Sequence, residues 1–218
     1  MQHTKGMVRA LGVTLVAGVA ACAPGGADTA RAGDSAVGAA PANAQAAGGP
    51  IAERMGGWHE ASRTAAAMMV EKYGQPAEET ATMLVWHNTG PWKRTVISKE
   101  AVQHNFPMPH PDVMEQVINY DVPADKFDEL AAYDGSVIVE RTKGELSARC
   151  DKEAANFLAL NLAHDIVTGK QTVAGARQAY AGQIKAMMAK QPAPYTEGLK
   201  FDVPTGKVGF TDEPAKGM

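Results

Sequence analysis

The sequence predicts an α+β fold: a mostly antiparallel sheet of about five strands, with helices packed on one face. Three observations carry that expectation. Short β-branched runs are joined by tight Gly-containing turns, the pattern of antiparallel hairpins. Four longer segments repeat apolar residues at helical spacing. The order of elements, α-β-β-β-α-β-β-α-α, lacks the regular βαβ alternation that a doubly wound parallel sheet requires.

The first 21 residues are not expected to belong to that fold. Lys5 and Arg9 precede an apolar run, Ala10–Val19, and a small-residue end, Val19-Ala20-Ala21, stands directly before Cys22. A basic head, a short apolar run and a small-residue end make a secretory signal, too short and wrongly flanked to span a membrane. The ending Val-Ala-Ala-Cys resembles the bacterial lipobox. That resemblance implies cleavage before Cys22, acyl chains on the cysteine, and a partner in the membrane itself. With Ala23 next, it implies the periplasmic face of an outer membrane. Residues 22–50 are Ala/Gly/Pro/Ser-rich, with Val37 as the one large apolar side chain, so they read as a flexible tether. A chain of that length and composition reaches about 3 nm from its anchor.

The domain is expected over residues 51–203, with 204–218 as a flexible tail. Gly57–Tyr73 reads as a helix with Ala66, Met69, Val70 and Tyr73 on its apolar stripe, ended by Gly74 and Pro76. Thr82–His87 and Trp92–Lys99 read as strands around the turn Asn88-Thr89-Gly90-Pro91. Trp86 and Trp92 flank that turn, as a candidate binding rim or a cross-strand packed pair. Ala101–Val113 reads as an irregular, stiff loop because of Pro107, Pro109 and Pro111. Gln116–Val122 is a strand by composition, and Pro123 opens a helix to Tyr133.

Val137–Val139 and Glu145–Arg149 form a hairpin around Lys143-Gly144. It runs into the most apolar helix, with Cys150 or Asp151 as its N-cap and Gly169 after its end. That helix is apolar on two sides, so it belongs between the sheet and another helix. Asn161 and His164 within it are therefore expected to be hydrogen-bonded inside or to face a pocket. The last helix, from Thr172, carries Val173, Ala176, Tyr180, Ile184 and Met187 on one side. At most one short strand follows, near Leu199–Val203.

Charge excludes one class of partner. Without Lys5 and Arg9 the chain has 19 basic against 24 acidic residues and no basic block, which argues against nucleic acid. No P-loop, dinucleotide glycine fingerprint, CxxCH, HExxH or GxSxG is present, and no cofactor is implied.

Two constellations carry chemistry. His104, Met108 and His110 are candidate ligands for zinc or copper, with His87 or Asp112 completing the shell. Cys150, the second of two cysteines, is a candidate nucleophile or redox thiol if a helix N-terminus lowers its pKa. Its base would be His59, His87, His104 or His110; His164 lies about 21 Å along the same helix. Histidine before a later helix-start cysteine is similar to the permuted papain-like hydrolases in order alone, without their local motifs. A polar group on the hairpin, Glu140, Arg141, Glu145 and Arg149, reads as solvated cross-strand ion pairs. The sequence therefore favours a non-catalytic binding or accessory module, one that another envelope protein would partner, over a thiol enzyme or a metal carrier.

Overall fold

In the computed structural model, which describes residues 51–217, the sheet grows from two hairpins. β2 (Met83–Thr89) and β3 (Trp92–His104) pair antiparallel, with Leu84 opposite Ile97 and Trp86 opposite Thr95. Asn88 and Gly90 take positive φ at the reversal, a conformation those two residue types tolerate best. β5 (Val137–Glu140) and β6 (Glu145–Cys150) form the second hairpin, turning at Gly144 with φ +62°. β4 (His110–Asn119) joins the two, pairing with β3 on one edge and β6 on the other. A two-residue β1 (Glu78–Glu79) borders β2. The order is β1-β2-β3-β4-β6-β5, antiparallel throughout. The α+β expectation holds with six strands rather than five. The extra one is too short to show a period.

The proline-rich stretch differs from its expectation. β3 continues to His104 and β4 begins at His110, so only residues 105–109 turn, through a cis Phe106-Pro107 bond. Pro111 lies in the strand, opposite Gln103. It is admitted because β6 stops at Cys150, opposite Met114, leaving this arm of β4 with one neighbour. Between Ile97 and Val102 four residues of β3 face the single residue Val113. Such a bulge bends a strand and re-aims the side chains beyond it.

The helices α2 (Glu60–Tyr73), α3 (Phe127–Tyr133), α4 (Glu153–Val167) and α5 (Val173–Met188) pack against the sheet, with a short α1 (Ile51–Arg54) before them. His59 caps α2, its Nδ1 accepting from the Ala61 N–H. Thr172 caps α5 by accepting from the Gly175 N–H, as its position predicts. The N-cap of α4 is Lys152, without a side-chain bond, and Cys150 remains in β6.

Two apolar clusters result. Trp86, Leu84 and Ile97 pack with Ala65, Ala66 and Met69 of α2. Ile118, Leu146 and Trp92 pack with Phe157, Leu158 and Leu162 of α4 and with Tyr180 of α5. Trp86 and Trp92 are each 1% exposed, so they form no binding rim. Their indole N–H groups donate to the Gly74 carbonyl and to Glu153 Oε1, which lets both rings be buried whole.

Asn161 and His164 of α4 both make hydrogen bonds. Asn161 donates to the carbonyls of Tyr195 (3.0 Å) and Gly198 (2.8 Å) and accepts from the Lys200 N–H (2.7 Å). His164 Nδ1 lies 2.8 Å from the Tyr120 hydroxyl, and its ring stacks on Phe201 at 4.3 Å. Both hold the C-terminal segment, which has no strand at 199–203. Beyond it, where a loose tail was expected, the Gly209 N–H donates to Asp121 (2.6 Å) and the Phe210 N–H to the Arg141 carbonyl (3.0 Å).

Among the described residues no helix is long and apolar enough to cross a membrane. The signal segment, Cys22 and the tether lie outside the described residues.

Candidate metal centre

The free end of the β3–β4 arm gathers the site. His104 and His110 stand directly opposite each other in the ladder, with ring centroids 5.0 Å apart. Asp112 is two residues further along β4. One donor atom from each of the three lies within 4.8 Å of the other two. A tetrahedral shell with bonds near 2.1 Å has donor-to-donor edges of about 3.4 Å. His110 Nε2 to Asp112 Oδ1 is 3.2 Å and His104 Nδ1 to Asp112 Oδ2 is 3.5 Å. Each imidazole is thus at coordination length from one carboxylate oxygen, His110 from Oδ1 and His104 from Oδ2.

The surroundings orient these donors. His110 Nδ1–H donates to the Met108 carbonyl at 2.8 Å, which fixes the ring with Nε2 on the Asp112 side. His104 Nε2 faces Asp134 Oδ1 at 3.6 Å, while Ser136 Oγ lies 3.0 Å from Nδ1. Asp134 is itself fixed by the Ser136 N–H and hydroxyl. The gap to Asp134 exceeds a hydrogen bond, so Asp134 reaches the His104 ring through Ser136 Oγ.

Asp112 is the unusual member. It is 2% exposed, and its Oδ1 receives no hydrogen bond. Arg149 Nε, 3.7 Å from Oδ2, is buried without a hydrogen bond as well. A buried carboxylate normally gathers donors, because desolvation otherwise disfavours its charge. Here its neighbours are two imidazoles and the Arg149 guanidinium. The Asp112 carboxylate, and after it Cys150, raises the His110 imidazole to about 11 against the opposing effect of burial.

Cys150, at the end of β6 and 5% exposed, meets the His110 imidazole. Both line a cavity of about 340 Å³ whose walls include Met108, Tyr180, Ile184 and Met187. A lowered thiol pKa does not follow. Burial pushes the Cys150 thiol up, the Asp151 charge adds to that, and His110 offsets only part of it. The helix N-terminus invoked for it begins three residues later, at Glu153.

The structure therefore brings together His104, His110 and Asp112, leaves Cys150 on a cavity wall beside His110, and separates them from other candidates. His87 pairs with Glu78 on the β1–β2 edge. Met108 contributes its carbonyl, and the residue is 44% exposed. The hairpin charges also divide. Glu145 is buried and takes Lys93 (3.0 Å) and Arg94 (3.1 Å), Glu140 bonds the Thr142 and Lys143 N–H groups, and Arg141 pairs with Asp212. Asp134 and Ser136 had no sequence signal beyond a turn. They reach His104 only because α3 and β5 close over the arm. No protein family, curated protein or solved structure matches this chain.

Proposed function

We propose that this chain is a lipid-anchored cell-envelope protein whose folded module binds a divalent transition metal through His104, His110 and Asp112. It acts as a binding or accessory module rather than as a catalyst. The observation that carries the metal reading is the Asp112 carboxylate, buried, without a hydrogen bond on Oδ1, and set 3.2 and 3.5 Å from two imidazole nitrogens. Two imidazoles and one carboxylate suit zinc or copper(II) better than magnesium or calcium, which take oxygen shells. The anchor rests on the signal pattern that ends at Cys22.

The test is metal content after equilibration with Zn²⁺ or Cu²⁺ and exhaustive dialysis. One equivalent is expected in the parent chain. His104→Ala, His110→Ala and Asp112→Ala should each weaken binding by at least about tenfold, the scale on which even outer-shell changes act. His87→Ala should leave binding unchanged. A parent that retains no metal, or a His104→Ala/His110→Ala chain that retains it, refutes the reading.

A further inference from the structure

We propose that the cavity beside the β3–β4 turn is a binding site for a neutral, mainly apolar ring compound that carries one hydrogen-bonding group. The inference goes beyond the metal reading and needs no ion. The cavity holds about 340 Å³, inside the range of about 300–1,000 Å³ that small-molecule sites occupy. Three parts of the chain build it. Tyr180, Ile184 and Met187 come from α5, Ala155 from α4, and Pro107 and Met108 from the turn. Proline keeps its part of the wall stiff, while the methionines adapt to the shape of an occupant. Past Met108 and Ile184 the apolar surface continues along α5 to Met188, 63% exposed, and gives an apolar molecule its way in.

The charges of the wall select a neutral occupant. Asp151 and Lys152 both line the cavity and pair with each other at 3.0 Å. His110 has both ring nitrogens engaged, Nδ1 at the Met108 carbonyl (2.8 Å) and Nε2 at Asp112 (3.2 Å). Among the described residues, no charged group of this wall is left without a partner. An ion entering would lose its hydration and meet no counter-charge. Tyr180 provides the one polar contact. It is 2% exposed, and its hydroxyl makes no hydrogen bond among the described residues. A buried phenol normally finds a partner, and a donor or acceptor on the occupant completes it.

The test uses the full chain carrying Cys22→Ala and the neutral fluorescent probe N-phenylnaphthylamine. One equivalent should bind. Anilinonaphthalene sulfonate has the same rings and a fixed negative charge, and should bind at least about tenfold more weakly. Ile184→Trp fills the cavity from its half-buried rim and should weaken the neutral probe at least about tenfold. Met83→Trp, at an exposed position of β2, should change nothing. Tyr180→Phe keeps the ring and should lose about three- to tenfold. Saturating probe should also slow alkylation of Cys150, which lies in the cavity wall, by at least about tenfold, a readout that needs no cavity variant. No binding, or binding that neither Ile184→Trp nor Cys150 alkylation registers, overturns the site. Equal affinity for the sulfonate overturns the selection of a neutral molecule, and an unchanged Tyr180→Phe overturns the role of the hydroxyl. The probe should bind equally with a metal chelator present, so failure of this site and failure of the metal reading are told apart.

Discussion

Replacing Glu153 with alanine is expected to cost this protein about 3 kcal/mol, and the structure supplies the arithmetic. Glu153 opens α4 and joins three elements. It accepts from the Tyr73 hydroxyl of α2 at 2.7 Å, from the Trp92 indole of β3 at 2.6 Å, and from Lys72. Trp92 is 1% exposed and stacked on Phe157 at 4.8 Å, so its N–H has no water to turn to. Leaving that donor unsatisfied costs about 1–3 kcal/mol. The Tyr73 hydroxyl is half-buried and reaches solvent more easily, so its bond adds about 1 kcal/mol. Loss of a negative charge at the helix N-terminus adds about 0.5 kcal/mol. Lys72, 54% exposed, is counted as nothing. For a domain of this size the total lowers Tm by about 6–12 °C.

The assay is urea unfolding of the parent, Glu153→Ala and Glu153→Gln, with the slope held common. Glutamine keeps an acceptor and should lose about half as much. The pH dependence is a second check. Burial raises the Glu153 carboxyl, but the bonds from Lys72, Tyr73 and Trp92 together outweigh it and hold it below the ordinary 4.5. A carboxyl depressed on folding stabilises above its unfolded value and loses that contribution as pH falls through its folded value. The gap between parent and Glu153→Gln should therefore be full at neutral pH and narrow below about pH 4.5. A loss under about 1 kcal/mol, or a gap independent of pH, would refute the argument that this carboxylate fastens the two clusters together.

Two further outcomes follow from the same geometry. Asn161→Ala removes one acceptor and both donors that hold residues 195–200. Stability should fall by about 2–4 kcal/mol, and amide exchange should accelerate selectively from Tyr195 to Val203, where uniform acceleration would count against a local clamp. Asp134→Asn keeps an acceptor for the Ser136 N–H and hydroxyl but removes the charge facing His104 Nε2. Zinc affinity should drop about 10–100-fold by calorimetry with the fold retained, and unchanged affinity would remove Asp134 from the support of the site.

What the sequence determined by itself is local. The β-branched runs around glycine turns set the two hairpins, because strand propensity and turn chemistry are properties of adjacent residues. The doubly apolar surface of α4 required a buried helix, and so required partners for Asn161 and His164. The five-residue gap from His104 to His110 was visible too, but its meaning was not. Three prolines suggested an irregular loop, whereas a one-sided strand end accepts Pro111 and sets the two imidazoles face to face. Only the tertiary structure decided the rest. The choice of Asp112 over His87 depends on the β3–β4 register, and the arrival of Asp134 and Ser136 depends on β6 inserting beside β4 and carrying β5 with it. Burial of Trp86 and Trp92 depends on α2 and α4 covering the same face. Such contacts join residues 8 to 60 or more positions apart, and neither periodicity nor propensity reaches across that distance.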